Sequence, residues 1–599
     1  MSKKNKESHS FHIPVMGLAF TIDSPIKVAK YGISSVISIV DDFIIEKMNE
    51  HYSKKFKLPF TAISTKIEDY RAKRITSYLN TVDTIVNKTF EDLKHNFEEK
   101  KEELEKYINL FPNFSELKQS FNETFKNSSL KEDVSNWIQE HLNPGSIDVN
   151  IMTKIDKTNY AKNVPLPSKF NDAHAALRGF ANSNLESSVV LSAGMNPRLY
   201  GYFEEFEDFY PTEKNFLKKK IILKVSDYRS ALIQGKFLAK KGIWISEYRI
   251  ESGLNCGGHA FASDGYLLGP ILNEFKVNKE ILTKDIHSIL QNALLAKGKH
   301  VPKEPLELKI TVQGGVGTAE EHEFLLDNYN LDSIGWGSPF LLVPEATTVD
   351  KKTLRKLELA KEKDLYLSNI SPLGVPFNSL KGNTNEIIRD YKIANDKAGS
   401  ACPKKFLISN SDHSNRPICT ASKKYQTAKL QELKEANITA DEYIKKANKI
   451  TVKSCLCEGL ASAALIDNDI KQKGEDNGVA ICPGPNMAYF SKEISLKEMV
   501  DHIYGKVNVV TTNNRPHMFI KELSLYIDYF SNKVNEAKES ISIKQEKYLT
   551  NFQNNLNDGI TYYQNLFSNF ELNKAILLEE LNVLKQDLFN IKIPILVKA

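Results

Sequence analysis

Short apolar, β-branched runs alternate with segments of helical spacing along the first part of the chain. In order they are Ile13–Gly17, Ile33–Ile39, Asp148–Thr153, Ser188–Gly194, Lys220–Val225, Trp244–Ser252, Leu308–Gln313 and Leu331–Trp336. Each reads as apolar almost throughout, the pattern of parallel strands buried on both faces. Strands joined by helical connections build right-handed βαβ units, and eight of them predict an α/β fold closed as a (β/α)8 TIM barrel. Two further regions are poor in glycine and read as helical. In the first, from about Asp41 to His141, Phe90, Leu93, Phe97, Leu104 and Ile108 recur at helical spacing opposite a charged face. In the second, from about Phe519 to Asn590, Leu523, Tyr526, Ile527, Phe530 and Val534 form a similar stripe. Such stripes are packing surfaces in the first instance; a lid or a homodimer interface is the other use. The predicted organisation is a barrel at 11–40 and 147–390, with a helical insertion at 41–146 after the second strand. A cysteine-containing extension at 391–510 and a helical C-terminal region at 511–599 follow.

Composition narrows the classes. At 599 residues the chain exceeds the size of a single growing core. Eighty basic residues stand against 75 acidic ones, a net charge of +5, which gives no ground for a nucleic-acid or membrane partner. The first ten residues are polar, and stretches such as Gly32–Val40 are too short to span a bilayer, so a cytoplasmic protein is expected. Six cysteines in so long a chain do not make a disulfide framework.

Active sites of such barrels lie at the C-terminal ends of the strands, and the unusual residues fall there. The sixth strand runs into Ser252-Gly253-Leu254-Asn255-Cys256-Gly257-Gly258-His259. Glycines allow close backbone approach to a ligand, and a histidine beyond them suits proton transfer near neutral pH. The seventh ends in Gln313-Gly314-Gly315-Val316-Gly317-Thr318, and Thr318 with Glu321 has capping-box spacing, so a helix should begin there. The eighth ends in Gly335-Trp336-Gly337-Ser338. Glycine loops after strands seven and eight commonly hold a phosphate, with backbone N–H groups and a helix N-terminus facing it.

These motifs resemble those of the nitronate monooxygenase family and its relatives, the FMN-dependent enoyl-ACP reductases. GLNCGGH at 253–259 is similar to the family's G-x-E-A-G-G-H, QGGVGT at 313–318 to its phosphate loop, and DSIGWGSPF at 332–340 to the loop after its last strand. IPVMGLAF at 13–20 and Val149-Asn150-Ile151 are similar to its opening and third strand. The resemblance implies FMN on the strand ends, with Met16 and Gly17 near the flavin ring and Asn150 hydrogen-bonded to it. It implies Ser252, Gly257 and Gly258 beside the cofactor, Gly314, Gly315, Gly335, Gly337 and Ser338 around the phosphate, and His259 as the catalytic residue. The implied activity is an FMN-dependent oxidoreductase of the nitronate monooxygenase type acting on a small or acyl-chain carbon acid, or an enoyl thioester reductase. A nicotinamide or a ferredoxin-type protein is the implied electron donor. Ser252, Asn255 and Cys256 stand where the family has Gln, Glu and Ala, which turns attention away from nitronate as substrate.

Two other readings stay open on the residues alone: a non-redox phosphate-binding isomerase or lyase, and a scaffold without activity. Beyond the barrel lie Cys402, Cys419, Cys455, Cys457 and Cys482. Four thiolates can hold zinc or an iron–sulfur cluster, with Cys482 as a substitute ligand; buried thiols that only fill a core are the alternative.

Overall fold

The computed structural model describes residues 8–594 apart from 97–98, 114, 128–130, 154, 193, 414–415, 471–476, 513 and 539–540. Eight parallel strands close into a barrel in sequential order: β1 (Phe11–Ile13), β2 (Ser34–Ser38), β3 (Ile147–Ile151), β4 (Ser187–Leu191), β5 (Lys219–Val225), β6 (Glu247–Glu251), β7 (Lys309–Gln313) and β8 (Ser333–Gly335). Closure is made by β1 on β8, with Phe11 opposite Ile334 and His12 opposite Gly335. All eight runs expected as strands are the barrel strands. The first is displaced: it ends at Ile13 because Pro14 has no N–H to give a ladder. Met16 and Gly17 therefore stand on the loop above it.

The strands differ from the expectation of apolarity on both faces. Outward residues such as Ile37, Val149, Leu223, Tyr248 and Ile250 are fully buried under the helices. The barrel interior holds only a small apolar cluster, Val36, Val190 and Ile222, and the rest is polar. Arg249 Nε donates to Glu247 at 2.8 Å, Thr311 Oγ1 donates to the same carboxylate at 2.5 Å, and His12 Nδ1 meets Ser333 Oγ at 3.0 Å. Charges inside a barrel are tolerated when each finds a partner, and Glu247–Arg249 supplies its own two residues apart on one strand face.

The insertion supplies α1 (Asp42–Lys55) and α2 (Tyr70–His95). Asp41 caps α1 through its carboxylate, and Asp42 pairs with Arg71 and Arg74 at 3.1 and 2.9 Å. Phe90 and Leu93 of the expected stripe are buried on α2, while Leu104 and Ile108 lie on the separate helix Lys101–Asn109; Phe97 lies outside the described residues. The long helix α3 (Leu268–Ala296) follows β6 and α4 (Ala319–Tyr329) follows β7. The C-terminal region is α5 (Met518–Ala537), α6 (Ile543–Ser568) and α7 (Lys574–Asn590). Its stripe, Leu523, Tyr526, Ile527, Phe530 and Val534, is buried. Each such side chain contributes roughly 1.5–3 kcal/mol, and Tyr526 and Phe530 pack on Phe552 of α6. No helix among the described residues is long and apolar enough to cross a membrane.

Candidate active site

A cavity of about 570 Å³ lies at the C-terminal ends of the strands. Every residue expected at a cofactor site lines it: Met16, Gly17, Asn150, Ser252, Gly257, Gly258, Gly314, Gly315, Gly335, Gly337 and Ser338, together with His259. The far wall is apolar and comes largely from outside the barrel strands: Leu18, Met152, Ile155, Leu373, Val375, Leu460 and Ile481.

The loop after β6 turns at Gly258, whose φ of +80° favours glycine. It is pinned on both sides by chain beyond the barrel. Gly258 N–H donates to the Cys482 carbonyl at 3.1 Å, and Asn378 Nδ2 donates to the Cys256 carbonyl at 2.8 Å. His259 Nε2 lies 2.7 Å from Ser371 Oγ, and its ring sits edge-on to Phe377 at 4.9 Å. Ser371 thereby fixes the orientation of an imidazole that faces the cavity.

The loop after β7 has left-handed backbone at Gly314 and Gly315 (φ +114° and +86°). A Cβ at Gly315 would stand 2.2 Å from Asn255 Nδ2, so the two glycine loops touch where side chains would part them. Thr318 caps α4 as expected, accepting from Glu321 N–H at 3.3 Å. The reciprocal half of the capping box is not made: Glu321 instead accepts from Gly317 N–H at 2.9 Å and pairs with Arg515 at 2.7 and 2.8 Å. Burial alone would raise the Glu321 carboxyl, but Arg515, His517 and the Gly317 amide together hold it below the usual range. Ser338 Oγ accepts from Gly484 N–H at 2.7 Å, so the hydroxyl expected at a phosphate is already engaged by the extension. The amides of Gly315, Val316 and Gly337 make no hydrogen bond among the described residues.

Three site residues were not singled out from the sequence. Lys224 at the end of β5 pairs with Glu251 at the end of β6 at 3.1 Å, and Gln313 Nε2 donates to the same Glu251 oxygen at 2.5 Å. All three line the cavity. The signal for them is the alternation of charge in Glu247-Tyr-Arg-Ile-Glu251, hidden by reading the strand as uniformly apolar. Asn150 Oδ1, Asn255 Oδ1 and Gln313 Oε1 are buried at the cavity with no partner among the described residues. Buried acceptors of this kind cost free energy unless a ligand or water supplies a donor.

Glu522 of α5 is a fourth. Its carboxylate is 1% exposed; it accepts from Ser252 Oγ at 2.5 Å and Leu268 N–H at 2.9 Å. Burial pushes its carboxyl up to about 7 against the pull of those donors. Burial likewise raises the Cys256 thiol, and the Cys482 thiol to about 12, so neither is a thiolate near neutral pH.

The cysteines expected as ligands lie together outside the cavity, Cys482 excepted. Cys402, Cys419, Cys455 and Cys457 are all buried, Cys402 packed with Cys419 and Cys455 beside Cys457. The two neighbouring pairs lie close enough for all four thiols to influence one another. Among the described residues no three His, Cys, Asp or Glu side chains are placed to hold a metal ion, and Cys482 lines the cavity instead.

No protein-family model matches the chain, and no curated protein matches it. Among solved structures it is similar to FabK from Thermotoga maritima, at 13% identity over 63% of this chain and 82% of that one, with a TM-score of 0.30. It is similar also to the enoyl reductase domain of MlnA from the macrolactin biosynthesis cluster of Bacillus amyloliquefaciens, at 15% identity over 69% and 87%, with a TM-score of 0.31.

Proposed function

We propose that the barrel binds FMN at its C-terminal mouth and is an FMN-dependent oxidoreductase acting on an acyl-chain or similar carbon acid. The observation that carries this reading is the cavity itself. One space of about 570 Å³ brings together two glycine loops with unengaged amides, three orphaned amide oxygens and a fixed histidine. Loops after the seventh and eighth strands are where barrels hold phosphate, and the amides of Gly315, Val316 and Gly337 would receive it. Asn150 Oδ1 and Gln313 Oε1 would accept from the ring N–H that a flavin presents. FMN, when bound, supplies the electron pair.

The chain's own groups do the rest. His259, held by Ser371, moves the proton to or from the carbon beside the substrate's activating group. Lys224, paired with Glu251 at 3.1 Å, lines the cavity and would stabilise negative charge developing there. The apolar wall of Leu373, Val375, Leu460 and Ile481 excludes water and favours an acyl chain over a small nitronate. The test is turnover with reduced nicotinamide and enoyl thioesters, set against oxygen consumption with nitronates. His259→Ala should lower kcat by about 10²–10⁴-fold with FMN retained; an unchanged kcat refutes the role of His259.

A further inference from the structure

The β7 loop is shaped from outside the barrel. Arg515 lies between the extension and α5 and is 6% exposed as a side chain, against 4% for its partner Glu321. Besides that bidentate pair, Arg515 Nε donates to Asn486 Oδ1 at 2.9 Å and an Nη donates to the Gly315 carbonyl at 2.8 Å. Asn486 Nδ2 in turn donates to the Val316 carbonyl at 2.7 Å, and His502 Nε2 meets the Gly317 carbonyl at 3.0 Å. Three successive carbonyls of the loop are therefore drawn by residues of the extension and of the segment that leads into α5.

The geometry of the peptide unit gives this a consequence. The peptide bond is planar and trans, so the C=O of one residue and the N–H of the next point in opposite directions; the chain has no cis bond here. Gly315 and Val316 line the cavity, whereas Arg515 does not. A Gly315 carbonyl turned out to Arg515 leaves the Val316 N–H turned into the cavity, and that amide has no acceptor among the described residues. The Val316 carbonyl, held by Asn486, sends the next N–H, that of Gly317, to Glu321 instead.

We propose that Arg515 is a positioning residue for anion binding: it orients the Gly315–Val316 peptide so that the Val316 amide receives the phosphate of the flavin nucleotide. The inference rests on the flavin reading above. Arg515 touches no cofactor atom in this account; it acts through the loop, and Glu321 neutralises its charge so that orientation, not net charge, is what it contributes.

The test compares FMN with riboflavin, which has the same ring and no phosphate. Dissociation constants for both are read from flavin fluorescence on the full chain, for wild type, R515A, R515K and the double variant R515M/E321Q. The double variant removes both buried charges together and guards against loss of fold in R515A. The expected result is an FMN constant raised at least tenfold in R515A and in the double variant, with riboflavin changed less than twofold. R515K, which can still donate to the Gly315 carbonyl, should recover part of the FMN affinity. Equal loss for FMN and riboflavin in the folded double variant, or no loss for FMN, overturns the inference. Wild type that binds neither flavin overturns the flavin reading itself, a distinct outcome.

Discussion

Glu522 offers a stability measurement whose sign follows from its surroundings. Its carboxyl is completely enclosed by Ser252, Leu268 and Tyr563, and burial lifts it from the ordinary 4.5 to about 7. The folded protein therefore holds this proton more tightly than the unfolded chain. Between about pH 4.5 and 7 the folded state carries the extra proton, so stability is greatest at the acid end and falls as pH rises, levelling off above 7. Each pH unit of displacement corresponds to ~1.4 kcal/mol, and integration from pH 5 to pH 8 gives a loss of about 2–3 kcal/mol from this group. Other groups also titrate, so the informative quantity is the difference between wild type and Glu522→Gln, which cannot ionise. Denaturant unfolding followed by near-ultraviolet circular dichroism at pH 5 and pH 8 measures it. Wild type should lose about 2–3 kcal/mol relative to the variant across that interval. Parallel pH profiles for the two proteins, or a wild type that gains on the variant as pH rises, would refute the assignment of a raised carboxyl at Glu522.

Two further substitutions follow from the cavity. Gly315→Ala forces a left-handed residue, at ~1–2 kcal/mol, and a Cβ 2.2 Å from Asn255 Nδ2; FMN affinity measured by fluorescence should fall more than tenfold, and unchanged affinity would deny the loop its role. Leu373→Trp fills part of the apolar wall, so kcat/KM should drop for long acyl chains and hold for short ones, whereas equal loss for both places the chain elsewhere.

The fold was legible because closed parallel barrels bury the outward face of every strand, and those outward residues mark each run. Pro14 and the interior charges were the departures. Proline shortened β1 by removing a ladder donor, and Glu247, Arg249, Thr311 and His12 were hidden because their partners, on the same strand or on the strand alongside, turn into the barrel interior. The site was legible where local backbone demands glycine, at Gly258, Gly314 and Gly315, and in the histidine beside them. Glu522, Arg515, Asn486 and Ser371 were not. They reach the strand-end loops from chain more than 100 residues away in sequence, and no spacing records such a contact. Cys402, Cys419, Cys455 and Cys457, more than 50 residues apart at the extremes, do come together in the fold, while Cys482 joins the cavity instead.

A flavin in the barrel mouth is tested by the absorption spectrum of the purified chain together with extraction of its cofactor. The expected result is flavin bands in the visible range, one FMN released per chain on denaturation, and recovery of the bands when FMN is returned to stripped protein. A colourless protein that remains so after FMN is added and unbound nucleotide removed would contradict it.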